Sequence, residues 1–433
     1  MLKKLNNMFE IPELKQRILF TVALLIVYRV GSHITTPGVN VAALADFFRS
    51  GKGGVLGLYD MFVGGNLHNA TIFALGIMPY ISASIILQLM QPVVPYLERL
   101  AKEGEEGRRK INQYTRYGTV LLALIQSLGI SSLLKGLGVV GNPGLGFTLL
   151  TMLTMTAGTV FVMWLGEQIT ERGIGNGISL LIFIGIVARY PSEIIDTFRS
   201  VFVTQTLNIF VAVFLVAAMV GVTGLTVLIT QGQRRIPVQY ARRIVGRKML
   251  TGRTTHLPLR VNTSGVIPII FAQSIIMLPS SVAAFMRENQ FAQDLAYVMR
   301  PGGPLYVVLY TVIIIFFTYF YTAIVFNPMD VADSMRKNGG FIPGIRPGKK
   351  TAEFIDRVLS RITLPGAAFL AFIAVLPDLL IRRVNAPFYF GGTGLLIVVG
   401  VALDTLQQIE SHLLMRHYDG FLKKGRLRGR SGF

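Results

Sequence analysis

His33, His68, His256, His412 and His417 are the only histidines in the chain, and no two of them form an i, i+4 pair or an HExxH pattern that would place two imidazoles on one helix face for a metal. There is no cysteine, which excludes disulfides, thiolate catalysis and cysteine metal ligation. No GxxxxGK[ST] phosphate loop is present, and the glycine-rich string GIGNG at residues 173–177 lacks the preceding strand and following acid of a dinucleotide site. Three acids, Glu167, Asp404 and Glu410, fall near the ends of apolar stretches, where a structural role is expected. No pair of carboxylates sits mid-stretch, as an ion-coupled carrier would need. These absences argue against an enzyme and predict neither a cofactor nor a metal site.

What remains are two residue classes in unusual positions. Isoleucines recur within proline- and glycine-marked apolar stretches: Ile77 and Ile81 in GIMPYISAS, Ile178 and Ile182 in GISLLIF, Ile270 in VIPIIF and Ile397 in GLLIVV. The first two pairs are four residues apart and so share a helix face. On sequence alone two readings stand. They are ordinary packing or lipid contacts, or they converge on a dry constriction that blocks ions by dewetting. The second class is basic. Residues 231–261 hold Arg234, Arg235, Arg242, Arg243, Arg247, Lys248, Arg253 and Arg260 with no acid, and residues 335–361 hold Arg336, Lys337, Arg346, Lys349, Lys350, Arg357 and Arg361. Such density suits membrane topology, lipid headgroups, nucleic-acid phosphates or an acidic protein face.

The elements that must position these residues are ten apolar stretches, at about residues 17–35, 70–91, 115–134, 147–168, 178–198, 207–229, 264–286, 304–326, 362–381 and 389–415. Each approaches the roughly 20 residues a helix needs to cross a hydrocarbon core. The chain of 433 residues is 52% hydrophobic and 15% charged, where a soluble protein would carry about 25% charge. Most of its 42 Lys and Arg lie in the N-terminus, alternate gaps and the basic tail after His417. Positive loops stay cytoplasmic, so both termini are expected inside, with the first helix as insertion signal and no removable signal peptide. The reading is an all-α polytopic membrane protein.

Two five-helix halves, residues 1–203 and 204–433, are expected. Five is odd, so the second half enters with inverted topology. Irregularities match between them. Pro79 marks the second helix of one half, Pro268 and Pro279 that of the other, and GIGNG and FGGTG precede the two fifth helices. Such interruptions point to a pathway, against the alternative that Gly and Pro are simply common in membrane helices. One apolar piece, VLGLYDMFV at residues 55–63, is too short to span and is flanked by glycines. It reads as re-entrant or interfacial, or else as an outer helix packed on the bundle.

The strings FALGIMPYISASIILQL, GRRKINQYTRYGT, MWLGEQITERGIGNGIS, THLPLRVN, YTAIVFNP, FIPGIRPG and PFYFGGTGLLIVV resemble the SecY family, in order and from the first helix to the tail, in wording closest to bacterial members. The resemblance implies a ten-helix clamshell of two inverted halves around an hourglass pore. Ile77, Ile81, Ile178, Ile182, Ile270 and Ile397 would form its pore ring. Residues 55–65, with Leu58, Tyr59, Met61 and Phe62, would be the plug. Ser82, Gln88, Asn262 and Leu278 would stand at the lateral gate, where relatives often carry Phe in place of Leu278. Arg346 would engage the SecA motor, and the basic loops, with Arg234, Arg235, Arg242, Arg243 and Arg247, SecA and the ribosome. Implied partners are SecE and SecG in a heterotrimer, SecA, ribosomal RNA phosphates, signal sequences, nascent polypeptides and anionic lipids, at the bacterial inner membrane. The implied function is a passive channel for unfolded secretory chains that also releases transmembrane segments into lipid. A ring of stiff β-branched side chains suits it, sealing without reading sequence. The rivals are an ion-coupled transporter and a pore-less docking platform for ribosomes.

Overall fold

The computed structural model describes residues 11–49, 59–60, 63–205, 208–240, 243–245, 248–250, 254–285, 290, 294, 303–384 and 392–424. In chain order its elements are α1 (Pro12–Gly31), α2 (Val41–Arg49), α3 (Met78–Met90), α4 (Pro95–Lys102), α5 (Glu105–Gly136), α6 (Leu145–Arg172), α7 (Gly177–Val187), α8 (Tyr190–Phe202) and α9 (Ile209–Gln231). Then come β1 (Gln233–Tyr240), β2 (Arg243–Val245), β3 (Lys248–Leu250), β4 (Thr254–Arg260), α10 (Ile267–Phe285), α11 (Pro304–Val325), α12 (Pro328–Lys337), β5 (Gly340–Phe341), α13 (Lys349–Val384) and α14 (Gly392–Lys424).

Each of the ten predicted stretches holds a helix. Among the described residues seven helical stretches are long and apolar enough to cross a membrane, and α3 with α4, bent by 97°, makes an eighth. The other two are α1, whose ends carry Glu13, Lys15, Arg17 and Arg29, and α10. The second stretch needs a correction. Residues 70–77 form turns, and α3 begins only at Met78. Pro79 lies in the first turn, where its missing N–H costs nothing and its fixed φ favours the helical start. Pro268 has the same place in α10. Both prolines start their helices, whereas Pro279 lies inside one.

The chain divides into two compact units, residues 1–191 with 401–433, and residues 192–400. In the first, α5 lies against α3 and α6. Its inner stripe is Thr115, Thr119, Ala123, Ser127 and Ser131, all buried. Small residues let membrane helices approach closely. The hydroxyls of Thr115 and Thr119 donate back to the carbonyls four residues earlier, at 3.0 and 2.7 Å, which satisfies them within the helix. Gly158 of α6 sits so near the Ile72 carbonyl that a Cβ there would overlap it.

The second unit has a core of Ile269, Ala272 and Ile276 from α10, Tyr306, Tyr310 and Ile314 from α11, and Leu370, Ala371 and Ala374 from α13. It also holds a feature the helical reading did not anticipate. β4, β1 and β5 form an antiparallel sheet in that order, and β2 pairs with β3. The register runs from Gln233 opposite Arg260 to Gln239 opposite Thr254. Pro237 is tolerated because β5 pairs only with Gln239 and Tyr240, leaving β1 an edge strand at that point. Ile236, Val238 and Leu259 pack on Met335, Ile342 and Ile355. The two basic segments therefore share one small core. The second of them comprises the end of α12, β5 and the first turns of α13.

Candidate functional site

In the first unit the isoleucines stand on α3 and α7. Ile77 is the N-cap of α3, and the Ile81 N–H donates to its carbonyl at 3.1 Å, so the two side chains are one turn apart. Both are buried, as is Ile182 of α7. Ile178 is half-buried and covers Gly166 of α6, where an added Cβ would come within 3.1 Å of it. In the second unit Ile270 of α10 and Ile397 of α14 are buried, Ile397 completely.

GIGNG sets the start of α7, and its backbone is satisfied by side chains. The N–H groups of Ile174, Gly175 and Gly177 donate to Thr21 Oγ1 at 3.0 Å, Gln408 Oε1 at 2.9 Å and Thr170 Oγ1 at 2.9 Å. Arg17 donates to the Gly173 carbonyl at 3.3 Å, and the Asn176 side chain caps α7. Gly175 has φ +86°. A Cβ on Gly177 would overlap the Gly166 carbonyl. The glycines make a packing knot among α1, α6, α7 and α14, with these N–H groups turned inward rather than towards a phosphate.

Of the four gate candidates, Ser82 is buried in α3. Gln88 is half-buried and donates to Ser84 Oγ at 3.0 Å. It borders a cleft of about 320 Å³ lined by both polar and apolar residues, among them Tyr80, Leu87, Arg108, Ile111 and Asn112. Asn262 lies in the turn before α10, where its amide donates to the Gly265 carbonyl at 3.1 Å and its oxygen accepts from Ser264 at 3.3 Å. The Leu278 side chain lies outside the described residues. Glu167, at the end of α6, accepts from Arg116 of α5 at 2.9 Å, an ion pair between neighbouring helices.

Of the short apolar piece only Tyr59, Asp60 and Val63 are described; Leu58, Met61 and Phe62 lie outside. Here the apolar reading overlooked an acid. Asp60 is 4% exposed and its carboxylate collects four donors. Oδ1 accepts from the Leu67 and His68 N–H groups, both at 2.9 Å. Oδ2 faces His68 Nδ1 at 3.1 Å and Arg189, just past the end of α7, at 3.5 Å. A charge this buried is tolerated only when paired and hydrogen-bonded. Its neighbourhood is as constrained. Tyr59 donates to the Leu75 carbonyl at 3.2 Å, and Asn66 donates to the Val63 carbonyl at 2.6 Å and to Tyr28 Oη at 3.2 Å. Gly64, at φ +75°, lies on Gly185 of α7, where a Cβ would come within 2.6 Å of Gly185 Cα. A lone Asp among eight apolar or glycine residues was the signal in the sequence.

On the basic side, Arg234 and Arg235 project exposed from β1. Arg243 lies in β2, and Arg242 and Arg247 are outside the described residues. Arg346 is exposed in the turns between β5 and α13. Those turns are rigid. Gly344 and Gly348 take φ +80° and +98°, the Ile345 N–H donates to the Ile342 carbonyl at 3.1 Å, and Thr351 Oγ1 donates to the Arg346 carbonyl at 2.9 Å. Ile345 packs on the sheet core, so the loop that carries Arg346 is anchored at both ends. Among the described residues no group of three or more His, Asp or Glu is placed to hold a metal.

Helices long and apolar enough to cross a membrane make this a polytopic membrane protein, and comparison with known proteins gives the family. The SecY family model matches residues 71–406. The protein translocase subunit SecY of Pseudomonas aeruginosa is 50% identical over 422 residues, covering 97% of this chain and 95% of that protein. Its counterparts in Aquifex aeolicus and Escherichia coli K12 are 47% identical (97% and 99% covered) and 49% identical (96% and 96%). Among solved structures, a protein conducting channel superposes with a TM-score of 0.69 at 17% identity, over 96% of this chain and 95% of that one. Sec61 in a canine ribosome-channel complex gives 0.65 at 17% identity, over 96% and 95%. The chain belongs to the SecY family and has the SecY/Sec61 channel fold. It is a multi-pass membrane protein.

Proposed function

We propose that this chain is the central subunit of a protein-conducting channel. It passes unfolded secretory polypeptides across the bacterial plasma membrane and releases transmembrane segments into lipid, with the driving force supplied by SecA or the translating ribosome. The observation that carries this reading is identity of 47–50% to translocase subunits over nearly the whole length of both chains. A conduit for arbitrary sequences needs an apolar seal and a basic dock, and the isoleucines and the basic loops are the residues proposed for them.

On this proposal the six isoleucines act together as the seal, and residues 55–65 are the plug. Ser82, Gln88, Asn262 and Leu278 belong to the lateral gate, and residues 1–203 and 204–433 are the working halves. Arg346 receives SecA and the 231–261 segment SecA and ribosomal RNA, with anionic lipid as a further contact of the basic face. SecE and SecG complete a heterotrimer, and both termini lie in the cytoplasm. Vesicles containing the heterotrimer should import a secretory precursor only when SecA and ATP are both supplied. Accumulation of a small solute in response to an ion gradient, without precursor import, would support a carrier instead.

A further inference from the structure

α14 has two sets of neighbours along its length. Leu396, in its first turns, belongs to the core of the second unit with Ile269 of α10, Ile314 of α11 and Leu370 of α13. Gly400 lies against Val266, where an added Cβ would overlap the valine side chain. From Val401 onward the helix belongs to the first unit. There Ile409 and Leu413, one turn apart, pack with Ile11 and Ile18 on Leu14 of α1 and on Ile174. Gln408 Oε1 accepts the Gly175 N–H at 2.9 Å. Thr405 lies over Gly175, where a Cβ would come within 3.1 Å of its hydroxyl. With Gly175 at φ +86°, the turn before α7 gives its N–H to α14. Neither the seal nor the basic dock requires these contacts.

We propose that residues 401–413 of α14 work as part of the first half of the channel and stay held there while a polypeptide passes. This rests on the channel reading above and moves the segment out of the second working half. The Gly173–Gly177 turn is the socket that receives it. The Gln408 bond fixes the rotation of the helix in the socket, and the seam of Ile409 and Leu413 supplies the hold. α14 is one unbroken helix from Gly392 to Lys424, so any movement of residues 204–400 during transport must be absorbed where its neighbours change, at Gly400 and Val401. Gly400 is the only glycine between Leu395 and Leu413, and glycine is the residue whose backbone adjusts most freely.

The chain has no cysteine, so a pair of thiols can be introduced without background. The full heterotrimer carrying Ile18→Cys and Ile409→Cys, both half-buried in the seam, is placed in vesicles and joined by a short bifunctional maleimide with a reducible spacer. Precursor import with SecA and ATP is measured before joining, after joining and after reduction. The joined channel should import near the unjoined rate, and the joining yield should be the same in idle vesicles and with a precursor stalled in transit. Gln408→Leu removes the acceptor, and its joining yield in transit should fall about fivefold, in line with the net worth of one hydrogen bond. Gln408→Glu keeps an acceptor and should stay near wild type. Import lost on joining and recovered on reduction would overturn the inference and leave the channel standing, as would a yield that drops in transit with Gln408 present. An undiminished yield in Gln408→Leu would overturn the part given to the hydrogen bond. No import before joining would contradict the channel reading, and the inference with it. Should the first pair fail to assemble, Ile11→Cys with Leu413→Cys from the same seam decides.

Discussion

Ile397→Asn is expected to make the resting channel leak ions. Ile397 has no exposed surface. If the proposed seal lies there, an amide in its place offers water two donors and an acceptor where isoleucine offers none. Removing a buried Ile side chain costs roughly 2–5 kcal/mol of packing even without adding polarity. A shift of only ~1.4 kcal/mol towards wetted states raises their population about tenfold. Single-channel recording from planar bilayers should show at least that rise, and precursors with weakened signal sequences should pass. Ile270→Asn should act in the same direction. Resting conductance unchanged in both variants would mean that these isoleucines are packing residues with no share in a seal.

Arg346→Glu is expected to abolish SecA-driven import while leaving ribosome binding and resting conductance near wild type. The side chain is exposed on turns fixed by Gly344, Gly348 and the Thr351 hydrogen bond, so its guanidinium is presented from a defined point. Glu reverses the charge without touching the core beneath, where Ile345 and Ile355 hold the loop. Arg346→Lys keeps the charge but loses the planar fork, and should retain only part of the rate. The pair of variants separates geometry from charge. Equal import by Arg346→Lys and wild type would reduce the residue to a simple cation, and full import by Arg346→Glu would remove it from the docking surface.

Much of this was legible in the sequence because membrane insertion writes long signals. A span needs an unbroken apolar run, and α5, α6, α9 and α11 show one that no soluble helix would. The N-terminus of α3 was misplaced for a local reason. Residues 70–77 are as apolar as the helix that follows, so hydropathy cannot see that the chain turns there; Pro79 in the first turn and Gly76 at φ +55° were the readable marks. The sheet was missed because Arg234, Arg235, Arg243, Lys248 and Arg260 in its strands read as the charges of basic loops. Yet Ile236 and Val238 in β1, and Leu257 and Leu259 in β4, alternate with period two, the pattern of a half-buried strand. Asp60 could be found only by asking why one acid stands in VLGLYDMFV. Its partner Arg189 is 129 residues away, and nothing in local spacing joins them.

The central claim is that a polypeptide travels past the isoleucines. It is tested most directly by placing a photocrosslinking amino acid, one at a time, at Ile81, Ile182, Ile270 and Ile397, and at the exposed apolar position Phe210 of α9 as control. A secretory precursor is then stalled in transit by a folded C-terminal domain. Crosslinks to the stalled chain should form from all four isoleucine positions and not from Phe210. Labelling from Phe210 with none from the four isoleucines would contradict the account.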